Sequence, residues 1–130
     1  MDAQLSRAHR LMPIPDTGSL RGDLEAFAAM LAEMAEAPER RAWFKRLLPA
    51  SREVDLSEIR SDFWQVRLNE IAAITRRAAE RGELREGIDP EDAMQMFNAA
   101  YVADLIFTDS PVRHDYAAQV LDIFIRGITP

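Results

Sequence analysis

Apolar residues recur along this chain at helical spacing, and no stretch alternates with the two-residue period of a strand. The longest such pattern runs from Leu56 to about Arg81 and closes at Arg81-Gly82-Glu83-Leu84. At 100° per residue it puts Leu56, Ile59, Phe63, Trp64, Val66, Leu68, Ile71, Ile74 and Ala78 on one arc of roughly 220°. That is wider than docking on a single neighbour requires. Arg67 sits near the middle of the arc with Glu70 one turn on. A charge there must be paired, reach out to solvent, or meet a ligand.

Around this helix the pattern predicts four or five others, giving an all-α bundle of about five to six helices in one domain spanning residues 1–130. Leu5, Ala8 and Leu11 suggest the tail of a leading helix, and Pro13-Ile14-Pro15-Asp16-Thr17-Gly18-Ser19 reads as a loop with Asp16 or Ser19 as the next cap. From Leu20 to Glu36 the sequence is amphipathic, with Leu20, Leu24, Phe27, Met30, Leu31 and Met34 on one face. Pro38 opens a short helix through Trp43, Phe44, Leu47 and Leu48 that stops before Pro49, and Asp55 or Ser57 starts the long one. Gly82 is placed to end it in a left-handed cap.

Asp89-Pro90-Glu91-Asp92 is a helix start with a cap, a first-position proline and acids in the first turn. The helix it opens, to about Thr108, is apolar nearly all round, with Gln95, Asn98 and Asp104 the polar interruptions in its body, and is expected to be buried on every side. After a turn at Asp109-Ser110-Pro111, the last helix is expected from Val112 to about Arg126, its polar stripe of Asp115, Gln119, Asp122 and Arg126 only about 60° wide. A terminal helix has too few neighbours in its own chain to cover so much apolar surface, so these two helices are expected to pack on a second copy as a four-helix interface. The residues nominated for that interface are Met94, Asn98, Val102, Leu105, Ile106, Tyr116, Ala117, Val120, Leu121, Ile123 and Phe124.

Composition narrows the function more than the fold. The 130 residues include no cysteine, which removes disulfides, thiolate catalysis and cysteine-held metals. The net charge of −6 argues against nucleic-acid binding by these residues, and residues 88–130 hold only two of the sixteen basic groups but seven of the twenty-two acids. No apolar run reaches membrane-spanning length and the N-terminus lacks a signal-peptide pattern, so a cytoplasmic protein without a membrane partner is expected.

Three stretches together resemble the C-terminal regulatory domain of the tetracycline-repressor-like (TetR) family. They are Pro15-Asp16-Thr17-Gly18-Ser19-Leu20-Arg21-Gly22-Asp23-Leu24, Arg77-Ala78-Ala79-Glu80-Arg81-Gly82-Glu83-Leu84 and Ile88-Asp89-Pro90-Glu91-Asp92-Ala93. In order, they are similar to the start of that domain's first helix, the close of its central helix and the start of its penultimate one. The resemblance implies a one-component transcriptional regulator: a homodimer that encloses a small-molecule effector and controls an N-terminal helix-turn-helix. No helix-turn-helix is expected within this chain, where residues 1–12 match at most the tail of a connecting helix, so operator DNA is expected as a partner only through a domain not in this chain.

By facing, the effector site is expected among Phe27, Met30, Leu31, Met34, Trp43, Phe44, Leu47, Phe63, Trp64, Arg67, Ile71, Ile74, Phe97, Tyr101 and Asp104. Methionines and aromatics suit an apolar or amphipathic ligand, although each of these residues can equally be plain core. Arg67 either binds a ligand's acidic or carbonyl group or pairs internally with Glu70 or Asp104. The competing reading is a helical dimerisation or protein-interaction module with a filled core and no ligand. Enzymatic chemistry is not expected, and no cofactor or metal is implied. His9 and His114 lack a nucleophile or metal-ligand repeat, while Ser19, Ser51, Ser57, Ser61 and Ser110 fall where capping explains them. Glu70 with Asp104 makes a poor acid–base pair, since Arg67 nearby would keep both ionised.

Overall fold

The computed structural model describes residues 2–46, 57–107 and 114–130, with side chains over 6–10, 12–43, 46, 64–104 and 115–130. The described residues form seven helical segments: α1 (Asp2–Leu11), α2 (Leu20–Glu36), α3 (Pro38–Arg46), α4 (Ser57–Ile71), α5 (Ala73–Glu80), α6 (Pro90–Phe107) and α7 (His114–Ile128). Helix α2 packs against α3, α5, α6 and α7, α6 also lies on α3, α4, α5 and α7, and α1 lies on α4. Among the described residues there is no strand, and no helix is long and apolar enough to cross a membrane.

Local chemistry sets the helix ends where the sequence signals them. Ser19 caps α2, its Oγ accepting the Gly22 N–H at 3.0 Å. Asp89 caps α6 by accepting the Glu91 N–H at 2.9 Å, with Pro90 in the first turn. At the end of α5 the Gly82 N–H bonds the Ala79 carbonyl at 3.1 Å and the Glu83 N–H bonds the Ala78 carbonyl at 2.8 Å. This paired closure needs the left-handed backbone that Gly82 adopts at φ 78°.

Four sequence expectations change. The long helix is interrupted at Ala72, which divides α4 from α5. Thr75 Oγ1 lies 3.1 Å from the Ala72 carbonyl and 2.5 Å from the Pro90 carbonyl, while Arg76 Nη2 donates to the Asn69 carbonyl at 2.9 Å. Side chains thus serve carbonyls at the break, which is how such interruptions are sustained. Second, α6 is not buried all round: Gln95, Met96 and Ala99 are exposed, so a strip of its surface is left uncovered by its own chain. Third, Val66 lies at the rim of the apolar arc and is exposed, whereas Arg67, Ile71, Ile74 and Ala78 mark its buried centre. The described part of α7 also runs two residues past the expected end, to Ile128. The expected stop of α3 before Pro49, the start of the long helix near Asp55 and the Asp109–Pro111 turn lie outside the described residues.

The buried core is made by Leu24, Phe27, Leu31 and Met34 of α2 with Ile71 and Ile74 of α4 and α5, and Met94, Phe97 and Tyr101 of α6. Phe97 is its aromatic centre, with ring centroids 5.0 Å from Phe124, 5.1 Å from Tyr101 and 6.4 Å from Phe27.

Candidate effector site

Where α2, α4 and α6 meet the end of α1, they enclose a small cavity lined by Met12, Phe27, Leu31, Trp64, Arg67, Ile71 and Asn98. Its volume is about 10 Å³, room for one water. The walls are apolar except for Arg67 and Asn98, which are themselves 3% and 7% exposed.

Arg67 is held on two sides. Nη1 donates to Glu70 Oε2 at 3.3 Å, and Nη2 donates to the backbone carbonyl of Met12. The same Glu70 oxygen lies 2.6 Å from His9 Nε2 on α1. Burial pushes the Arg67 guanidinium below its ordinary range, with the charge and hydrogen bond of Glu70 opposing that shift. Through these contacts α4 grips the last turn of α1 at both His9 and Met12.

Of the fifteen residues expected at the effector site, five line this cavity: Phe27, Leu31, Trp64, Arg67 and Ile71. Met34, Ile74, Phe97 and Tyr101 are instead buried in the solid core, so they support the cavity wall without facing it. Met30 is half-buried against that core. Tyr101 donates its hydroxyl to the Ala117 carbonyl at 3.2 Å, and burial, with the nearby Tyr116 second, raises its pKa to about 12. Trp43 is buried under the Arg7 guanidinium, which stacks 4.9 Å from its ring. Asp104 is half-buried on α6. Leu47 and the side chains of Phe44 and Phe63 lie outside the described residues.

Sequence reasoning missed Met12, His9 and Asn98 as parts of this site. Asn98 carried a signal, being a polar interruption in an apolar helix, but it was assigned to the dimer face. It is buried inside the protomer, and so is Met94 at 0% exposure. Both therefore leave the outer face for which they were nominated, because the true α6 surface is rotated to Asp92, Gln95, Met96 and Ala99, which line a surface groove of about 280 Å³. Val102, Tyr116, Ala117, Val120, Leu121 and Phe124 are half-buried against the core, and Ile123 is 68% exposed. The side chains of Leu105 and Ile106 lie outside the described residues.

A second polar cluster clasps the base of the bundle. Asp23, fully buried, accepts the Thr17 N–H at 2.6 Å and the Thr17 hydroxyl at 2.8 Å, and lies 3.4 Å from Arg77 Nη2. The same nitrogen donates to the Pro15 carbonyl, and Arg77 Nε lies 3.5 Å from Asp16. Glu83 accepts the Leu20 N–H at 2.8 Å and pairs with Arg81. Arg85 closes the end of α7, its N–H donating to the Ile128 carbonyl at 2.8 Å and its Nε to the Gly127 carbonyl at 2.7 Å.

Comparison with known proteins bears on this arrangement. Residues 14–124 match the family described as "Tetracyclin repressor-like, C-terminal domain". The chain is 40% identical over 91 residues to the HTH-type transcriptional regulator AqdR of Rhodococcus erythropolis, an alignment covering 68% of this chain and 43% of that protein. It is 28% identical over 130 residues to YdeS of Bacillus subtilis (strain 168), an uncharacterized HTH-type transcriptional regulator, covering 98% of this chain and 65% of that one. The chain thus spans less than two thirds of the length of either relative. No solved structure matches.

Proposed function

Because this chain belongs to the tetracycline repressor-like C-terminal domain family, we propose that it is the effector-sensing and dimerising part of a transcriptional regulator whose DNA-binding domain lies outside these residues. The observation that carries this reading is the join between the cavity and α1: Met12 and Arg67 both line the cavity and bond each other. A molecule entering there must disturb the last turn of α1, so binding and the position of α1 are energetically linked. A ligand that favours one arrangement shifts the population of the other by its difference in affinity.

The apolar lining, with one guanidinium and one amide, suits an apolar or amphipathic effector that makes one or two polar contacts. Dimerisation through α6 and α7 is supported by the exposed Met96, at 65%, and Ile123. In this reading the protein works in the cytoplasm, without catalysis, and reaches operator DNA only through the other domain. Thermal-shift measurements with a panel of hydrophobic compounds test the effector role, since a ligand that binds only the folded state raises its stability by mass action. Sedimentation at micromolar concentration tests the dimer, and a monomer there overturns it.

One observation favours a second reading, a dimerisation module with no ligand: the cavity holds about 10 Å³, far below the roughly 300 Å³ of a small ligand pocket. A panel in which no compound raises the melting temperature decides for that reading.

A further inference from the structure

The cavity is small because the chain fills it. Met12 is 4% exposed, its side chain forms part of the cavity wall, and its carbonyl takes a guanidinium N–H from Arg67. It therefore does two things there at once: it supplies a flexible apolar body and a neutral oxygen acceptor. Arg67 has its charge partner separately, in Glu70. We infer that Met12 is an internal occupant of the effector site, and that the effector is an apolar molecule bearing a neutral carbonyl, which replaces Met12 both as filler and as acceptor for Arg67. This rests on the effector-sensing reading above and names the ligand class for that same site.

Charge selects the carbonyl over a carboxylate. Arg67 already faces the Glu70 carboxylate at 3.3 Å, and the exposed His9 lies on that same oxygen. A second carboxylate would bring another anion into a closed apolar site beside Glu70, and burying it carries a desolvation penalty with a like charge next to it. A ketone, amide or lactone oxygen exchanges with the Met12 carbonyl like for like and leaves the charge balance untouched. The same displacement creates the space. Met12 is joined to the last turn of α1 by its N–H bond to the Ala8 carbonyl at 2.7 Å, so moving Met12 out frees the Arg67 donor and vacates the volume of a methionine side chain together. Asn98, on the α6 wall, can add an amide contact to the incoming group.

The test uses the full chain and three probes of one shape, 2-acetylnaphthalene, 2-isopropylnaphthalene and 2-naphthoate, with affinities from calorimetry and melting shifts. The ketone is expected to bind roughly ten- to hundred-fold tighter than the hydrocarbon, the worth of a hydrogen bond to a charged donor, and tighter than the carboxylate. Glu70→Gln removes the competing anion while keeping an acceptor for Arg67, so it is expected to reverse the order of ketone and carboxylate. Met12→Ala is expected to raise the affinity for ketone and hydrocarbon alike while preserving their ratio. Saturable binding with no preference for the ketone overturns the exchange at Arg67 and leaves the effector reading standing. Tightest binding of the carboxylate to the unmodified chain also overturns it. Failure of all three probes to bind overturns the exchange at Arg67, while the effector reading is decided separately by the wider compound panel. Because the ligand comparison is made on the unmodified chain, the inference stays exposed to refutation even where Met12→Ala fails to fold.

Discussion

Replacing Asp23 with alanine removes the one fully buried carboxylate of the clasp at the base of the bundle. Asp23 is fully buried and takes the backbone N–H and the hydroxyl of Thr17 at 2.6 and 2.8 Å, with the Arg77 guanidinium at 3.4 Å. Alanine strands the Thr17 N–H and leaves the part-buried Arg77 facing Asp16, which is 70% exposed, and the Pro15 carbonyl. Breaking a buried pair by removing one partner destabilises by about 3–5 kcal/mol. The exposed end of this cluster argues for the lower part of that range. Asp23→Asn keeps an oxygen for the Thr17 N–H but loses the charge, so about 1–2 kcal/mol is expected, the scale of one charge-assisted hydrogen bond. Urea unfolding at fixed protein concentration reads both, the fixed concentration being needed because dissociation of the proposed dimer would enter the apparent stability. The midpoint should fall with the slope unchanged. If Asp23→Ala lowers stability by less than about 1 kcal/mol, surface-pair strength, the clasp is solvated and the reasoning fails.

Gly22→Ala should destabilise although it lies in a helix, where alanine usually gains about 1 kcal/mol over glycine. A Cβ there would press on Thr17 Oγ1 and come within 2.9 Å of Ser19 Oγ, disturbing the cap and the Asp23 clasp together, and a rise in melting temperature would contradict this. Gly82→Ala meets no steric obstacle but must hold φ 78°, so a loss of about 1 kcal/mol from backbone strain alone is expected in the same urea assay. Glu83 governs part of the acid response. Burial alone would raise its pKa, but the Leu20 N–H and Arg81 together outweigh this and lower it below the ordinary value. A depressed carboxyl pKa contributes stability above that ordinary value, and the contribution is lost as pH falls through the folded-state value. Glu83→Gln should therefore flatten the fall in stability below about pH 4.5, and an unchanged acid limb in urea titrations from pH 6 to pH 3 would falsify the assignment. Met96→Glu and Ile123→Glu place charges on the uncovered strips of α6 and α7, so sedimentation should show monomers whose fold, by circular dichroism, is intact.

Helix ends were the most legible part of this chain, because caps act over three or four residues. Ser19, Asp89-Pro90 and Gly82 all do what their types and positions indicate. The facing of α2 was equally plain, since one partner-rich side gives a clean period. Arg67 was visible as a charge in an apolar arc, and Glu70 as a partner one turn away follows from helix geometry. Its second partner was invisible. The Met12 carbonyl lies 55 residues back, and a backbone acceptor carries no sequence signature. His9 was hidden for the same reason, a contact between distant segments. In α6 the near-uniform apolarity that promised burial also erased the period that would have fixed its outer face. The assignment of Met94 and Asn98 therefore fell on the inner side. The break at Ala72 has no glycine or proline to signal it, and the Thr75 bond to the Pro90 carbonyl beside it is a tertiary contact that propensity does not encode.

The knot formed by Asp23, Arg77, Glu83 and Arg85 gives the bundle a fixed foot. It binds the start of α2, the end of α5 and the end of α7 at one level, and Thr75 ties in the start of α6 nearby. The cavity stands higher: Phe27 lies seven residues up α2 from Leu20, and Asn98 eight residues up α6 from Pro90, about 10–12 Å along each axis. A molecule that parted the helices above this foot would turn them about it as cantilevers, against the Tyr101 hydroxyl bond to the Ala117 carbonyl that ties α6 to α7. A small spread at the height of the cavity grows with distance from the foot, so the same added volume displaces the far ends more than the cavity itself. In the sensor proposed above, loosening the foot should therefore weaken the fold without touching affinity, yet blur the motion that a bound molecule would transmit.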